Sequence, residues 1–201
     1  MSIRLSKIYT RSGDKGMTRV VGGDQQRKDS LLVDSYGEVD ELNSHVGLLR
    51  ALASQHTELR EASEPIFQTI QNDLFDIGAL LATMPDNKDL AARLDAFKKP
   101  LEDGSDQRIN ALEQQIDAWN EHLPELNSFV LPGGGLVNAQ ANVARTVCRR
   151  LERLLVQRQD AYPVEPVILA YINRLSDFFF VYGRWASAQL GEAELLWDMN
   201  R

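Results

Sequence analysis

The sequence predicts an all-α protein, a bundle of five long up-and-down helices behind an ordered N-terminal loop. Three observations lead there. Apolar residues recur every three or four positions in five separate stretches between residues 30 and 190. No stretch shows the alternation or the hairpin turns of a sheet. The 201 residues, 43% apolar and 25% charged, suffice for one sizeable core, so a single domain over 1–201 is expected, with 1–29 as the loop and 30–190 as the bundle.

Residues 1–29 are rich in Gly, Ser, Thr and charge, with β-branched pieces too short for more than a loop. The first helical stripe is Val33, Tyr36, Val39, Asn43, Val46 and Leu49, with Asp29 or Ser30 placed to cap it. Ile66, Ile70, Leu74, Ile77 and Leu81 make the second. Segment 84–105 is polar and reads as a mobile excursion. The third stripe, Ile109, Leu112, Ile116, Trp119 and Leu123, follows a heptad alternation. The fourth begins after Leu131-Pro132-Gly133-Gly134-Gly135 and uses Ala144, Val147, Cys148, Leu151, Leu154 and Leu155. The fifth opens near Pro163 and Pro166 and runs through Ile168, Ile172, Leu175, Phe179, Tyr182 and Ala186. Long antiparallel helices with short connections make a bundle.

Composition excludes several classes of function. One cysteine, Cys148, forms no intrachain disulfide and suits a reducing compartment. The first ten residues resemble no secretory signal, and the longest uncharged run, 126–144, holds Pro132, three glycines and several amides, so no membrane span is expected. A cytoplasmic protein is the natural reading. Three histidines, none in HExxH or beside a cysteine, give a zinc site nothing to be built from, and GxxxxGK[ST], GxGxxG and GxSxG are all missing.

Charge is informative through its distribution. The net charge of −7 disfavours nucleic acid. Yet 1–29 carry seven Lys/Arg against three Asp, and 145–153 carry four Arg against one Glu, so two basic islands sit in an acidic body. A small polyanion suits that pattern. Around Gly13 and Gly16 the chain gathers hydroxyls with Arg11 and Lys15, a composition that can wrap a phosphate; an ordinary surface turn with solvated charges is the other reading. Arg145, Arg149 and Glu152 fall at i, i+4 and i+7, which presents two guanidiniums together with a carboxylate; an exposed face laced with ion pairs is the alternative. Asn173 and Asp177 share a face of the fifth helix, for a ligand or for a polar tie between helices.

Five motifs taken together resemble the PduO-type ATP:cob(I)alamin (corrinoid) adenosyltransferases. They are Lys7-Ile8-Tyr9-Thr10-Arg11-Ser12-Gly13-Asp14-Lys15-Gly16; Tyr36-Gly37-Glu38-Val39-Asp40-Glu41-Leu42-Asn43; Phe129-Val130-Leu131-Pro132-Gly133-Gly134; the run from Val143 through Arg145, Arg149 and Glu152 to Arg153; and Ile172-Asn173-Arg174-Leu175-Ser176-Asp177. They stand in the family's order over nearly the whole chain. The resemblance implies a ferritin-like, cobalamin adenosyltransferase-like five-helix bundle, a homotrimer with active sites at subunit interfaces, and transfer of the 5′-deoxyadenosyl group from ATP to cob(I)alamin with release of triphosphate. It implies ATP, Mg2+ and cobalamin at the site, with the magnesium ligands unassigned. A flavoprotein reductase and a cobalamin-dependent acceptor enzyme are implied as partners. Thr10, Arg11, Ser12, Gly13, Lys15, Thr18 and Arg19 match the family's triphosphate loop. Lys28, Arg149, Arg150, Glu152, Arg153 and Asn173 match further ATP contacts. Asp40 and Arg145 match a salt bridge across the subunit boundary. Phe129 matches the aromatic residue that crowds out the lower axial ligand of cob(II)alamin, and simple core packing is the competing account of that residue. Asn142 stands where many relatives carry a histidine, and the C-terminal residues match poorly. An ATP- or adenosylcobalamin-binding carrier or sensor with little turnover is the alternative function.

Overall fold

The computed structural model describes residues 9 and 11–198. Ser30 ends the N-terminal segment and caps α1 (Leu31–Ala53), its Oγ accepting the Val33 N–H at 3.4 Å. α2 (Thr57–Leu81) carries Pro65 at an exposed position. α3 (Leu90–Phe97) is short, and α4 (Gln107–Asn120) is capped by the Asp106 carboxylate, which accepts the Arg108 N–H at 2.9 Å. α5 (Leu136–Arg158) starts from Gly135, and α6 (Pro166–Gln189) opens on proline, where the missing N–H would have had no helical partner anyway.

The helices among the described residues therefore number six, not the five expected. The additional one is α3, inside the segment read as an excursion; it turns Phe97 into the core at 3% exposure, with Leu90 and Leu94 packed beside it. The second difference lies before α1. β1 (Met17–Arg19) and β2 (Gln25–Arg27) pair antiparallel, Thr18 opposite Gln26, where no sheet was expected. Three residues a side, polar except for Met17, leave no alternation to detect, and two positive-φ glycines, Gly22 and Gly23, turn the chain between them.

α1 packs between α2 and α5, α6 packs against both α5 and α4, and α2 meets α6 across the centre. Aromatic rings fill that centre: Trp119 stacks on Trp185 at 4.9 Å between centroids, and Phe67 meets Tyr182 edge-on at 4.8 Å. α5 and α6 approach closely because Gly183 faces Asn138, whose Oδ1 would lie 2.8 Å from any added Cβ. Between α2, α4 and α6, Asp73 accepts from Arg108 Nε at 2.8 Å and from the Tyr171 hydroxyl at 3.1 Å, all three groups buried. Burial, reinforced by the Asp73 charge, pushes the Tyr171 hydroxyl well above the usual tyrosine range. Among the described residues no helix is long and apolar enough to cross a membrane.

Candidate functional site

The N-terminal hairpin presents the first basic island. Arg11 sits at φ 60° with its guanidinium over the Tyr9 ring at 5.7 Å. A turn follows, in which the Gly16 N–H donates to Gly13 O at 3.2 Å, and the Lys28 N–H closes the loop onto Gly16 O at 2.9 Å. A Cβ on Gly13 would stand 3.1 Å from Lys28 Nζ, so glycine here lets the ammonium lie against the backbone. Ser12, Lys15 and Arg19 are exposed and Thr18 is half-buried on β1; Thr10 lies outside the described residues. The hairpin is mounted on the end of α2, where the Val21 N–H donates to Ala82 O at 3.0 Å and Gln26 Nε2 reaches Met84 Sδ at 3.4 Å.

The second island is the outer face of α5. Arg149 is exposed, and among the described residues its guanidinium makes no hydrogen bond or ion pair. Its backbone oxygen accepts from Arg153 Nη1 at 3.1 Å. One turn on, Glu152 Oε1 accepts from Asn173 Nδ2 of α6 at 2.8 Å, so two residues singled out separately in the sequence meet. Arg150 points the other way, to Glu38 at 2.5 Å and Glu41 at 2.7 Å on α1, and these bonds hold its pKa above the ordinary arginine value. Arg150 and Arg153 line an open groove of about 590 Å³ between α1 and α5, opposite Glu38 and Gly37. Glu38 and Glu41 were given no role in the sequence, where their signal was their place three apart in the Tyr36–Asn43 motif.

Arg145 is half-buried; burial, then the neighbouring Arg149 charge, lowers its pKa. Its Nε donates to Asn142 Oδ1 at 3.1 Å, and Asn142 Nδ2 in turn donates to Asn138 Oδ1 at 2.8 Å. Asp40 is exposed on α1, and within the chain it forms no ion pair with Arg145. Beside it, an apolar groove of about 340 Å³ between α1 and α2 is lined by Phe75, 70% exposed, and Asn43, whose buried Oδ1 has no hydrogen-bond partner among the described residues. Beneath the arginine face, burial pushes the Cys148 thiol well up, with the charges of Glu152 and Asp177 adding to it. It stays protonated, unsuited to act as a nucleophile.

Phe129 is 75% exposed, which removes core packing as its explanation within the chain. Its ring lies 5.9 Å from Trp197, and the strands meet around an antiparallel bridge between Val130 and Leu196. Trp197 was given no role from sequence. At the following turn Gly135 admits the Glu192 side chain, whose carboxylate would collide with any Cβ placed there.

A helical bundle with two cationic surfaces and an exposed aromatic beside a glycine turn has a surface suited to a polyanionic ligand. The comparisons with known proteins are specific. The family model for cobalamin adenosyltransferase matches residues 8–186. The corrinoid adenosyltransferase of Bacillus subtilis (strain 168) is 38% identical over 194 residues, 96% of this chain and 93% of that protein. The human corrinoid adenosyltransferase is 33% identical over 200 residues, 98% of this chain and 75% of its own. A variant PduO-type ATP:corrinoid adenosyltransferase from Lactobacillus reuteri, solved with cobalamin and ATP, superposes with a TM-score of 0.82 at 37% identity, covering 95% of this chain and 99% of that one. This chain belongs to the cobalamin adenosyltransferase family.

Proposed function

We propose that this protein is a corrinoid adenosyltransferase that moves the 5′-deoxyadenosyl group of ATP onto cob(I)alamin. The cob(I) lone pair attacks C5′, a cobalt–carbon bond forms, the C5′–O bond breaks, and its electron pair leaves on triphosphate. No proton changes hands. The protein therefore has to align C5′ and hold departing phosphate charge, with no base to supply. The observation that carries this reading is the exposed guanidinium of Arg149, which has no partner among the described residues and stands beside the fixed Glu152–Asn173 bond. An exposed, unpaired charge on a rigid helix is open to an anion from outside.

On this reading Arg11, Ser12, Gly13, Lys15, Thr18, Arg19 and Lys28, with Thr10, wrap the triphosphate, and Arg149, Arg150, Glu152, Arg153 and Asn173 meet ATP from the helices. Phe129 displaces the lower axial base of cob(II)alamin, giving a four-coordinate centre that a flavoprotein reductase can reduce by one electron. The product would pass to a cobalamin-dependent acceptor enzyme in the cytoplasm. Asp40 and Arg145, unpaired with each other in one chain, bond between subunits of a homotrimer. The exposed Phe75 and the unpartnered Asn43 oxygen beside Asp40 support an interface there. The chain works as one domain, 1–29 serving as the nucleotide loop of the 30–190 bundle. Among the described residues no cluster of three or more His, Cys, Asp or Glu could hold a metal ion. Magnesium is therefore expected to travel on triphosphate oxygens and water, and no step is assigned to it.

The test is to mix the purified protein with ATP and chemically reduced cob(I)alamin, following the corrinoid spectrum and released triphosphate. Equal amounts of adenosylcobalamin and triphosphate over many turnovers are expected. Tight binding of both ligands with no more than one turnover would make the protein a carrier instead.

A further inference from the structure

Residues 192–198 follow the last helix, and the chain holds them at several points. The Glu192 N–H donates to Ser187 O at 2.9 Å. The Glu194 carboxylate accepts Arg184 Nε at 2.6 Å and Nη2 at 3.2 Å, with the two side chains 4% and 18% exposed. Beyond that pair the chain runs antiparallel to 129–131: the Leu131 N–H donates to Leu195 O and the Trp197 N–H to Phe129 O, each at 2.7 Å, and Ser128 Oγ reaches Trp197 O at 3.0 Å. Arg184 Nη2 also donates to Pro124 O at 2.9 Å, so one guanidinium ties α6, the tail and the connection leading to Phe129.

Phe129 needs such support. An exposed ring has no core packing to fix it, so its direction depends on its backbone, and an exposed backbone segment is costly to order. Among the described residues only the tail bonds the Phe129 carbonyl and the Leu131 amide, and Leu195, Leu196 and Trp197 are themselves exposed and held by those bonds. Directly before that stretch stands the Arg184–Glu194 pair, a bidentate contact in a buried place.

We propose that Arg184 and Glu194 are positioning residues for Phe129: their buried ion pair holds the 195–197 strand against 129–131 and thereby aims the Phe129 ring. This rests on the reading of Phe129 given above and reaches the reaction only through it.

The experiment compares two rates in each full-length protein: adenosylation starting from cob(II)alamin with a mild reductant, and adenosylation of pre-reduced cob(I)alamin. The four-coordinate cob(II) signal is recorded alongside. Glu194→Gln keeps the shape and removes the charge; its ratio of the two rates should fall about tenfold with the four-coordinate signal, while the cob(I) rate and the KM for ATP stay within about twofold. Because a buried Arg184 without its partner could unfold the chain, Leu195→Gly/Leu196→Gly is made in parallel. It leaves the ion pair intact and loosens only the strand, and the same fall in ratio is expected. An unchanged ratio in either folded variant overturns the proposal. Phe129→Ala separates the two levels. If it lowers the ratio while the tail variants do not, the Phe129 reading stands and the positioning role is wrong. If Phe129→Ala leaves the ratio unchanged, the Phe129 reading fails, and any effect of the tail variants then arises elsewhere.

Discussion

Arg108, on α4, and Arg149, on α5, belong to one bundle under opposite conditions. Arg108 is buried, bonded to Asp73 and to the Phe97 carbonyl, with its guanidinium 4.3 Å from the Phe97 ring centre. Arg149 is exposed and its guanidinium has no such partner among the described residues, although Glu152 lies one turn away, engaged by Asn173. The difference teaches how a fold and a site can be told apart where both are built from the same residue type. A charge answered inside the chain supports the fold; a charge the chain leaves unanswered, on a helix whose neighbours are answered, is available for a ligand.

The largest effect should come from breaking the answered side. Asp73→Ala strands a buried guanidinium and a tyrosine hydroxyl, and unfolding by urea should show a loss of about 3–5 kcal/mol, while kcat/KM per folded molecule is unchanged. Full stability would mean that Arg108 is no better satisfied than Arg149. The converse change is Arg149→Ala. It should lower kcat/KM by about 2–4 kcal/mol with the melting transition moved by less than about 0.5 kcal/mol, and wild-type kinetics in the folded variant would remove its role.

Between these extremes lie Asp40 and Arg145, not paired with each other within one chain and proposed to pair between two. Each single charge removal should cost about 1–3 kcal/mol of coupled assembly and activity, and the Asp40→Arg/Arg145→Asp double variant should recover part of it, read by sedimentation and turnover together. Intact, active trimers in both single variants would refute the pairing. The smallest effect belongs to an answered pair in solvent. Hydrogen bonding from Arg50 holds Glu64 below the ordinary glutamate value. Because that folded value is depressed, the stabilisation is present above the unfolded pKa and lost as pH falls through the folded one. Glu64→Gln should therefore cost less than about 1 kcal/mol near neutral pH, and thermal melts of the two proteins should converge in acid.

Much of the helical fold was legible in the sequence, whereas the buried Arg108–Asp73 pair was not singled out there. Val39, Asn43, Val46 and Leu49 on α1, and Ile172, Leu175, Phe179 and Tyr182 on α6, keep helical spacing over several turns, and all are buried. The alignment of Arg149 with Glu152 followed from spacing alone. α3 was not legible because its eight residues offer only two turns of pattern inside a polar stretch, and burial of Phe97 against Arg108 depends on tertiary contact. The partners of Arg150 lie 112 residues away in the case of Glu38, beyond any local rule. The same holds for the 195–197 strand, where one isolated bridge between short exposed segments carries no period to read.

The mount of the hairpin has a consequence in the currency of chain entropy. The bonds that close it, Lys28 N–H to Gly16 O and Val21 N–H to Ala82 O, are made by the protein's own groups. Each residue so restrained has already given up on the order of 1–2 kcal/mol of backbone freedom during folding. A nucleotide meeting a loose arm would have to supply that ordering from its own binding energy, whereas one meeting this hairpin supplies only the remainder. On the proposed reading, the affinity of the loop for triphosphate would thus be set partly at Ala82, just past the end of α2, a residue that need never touch the ligand.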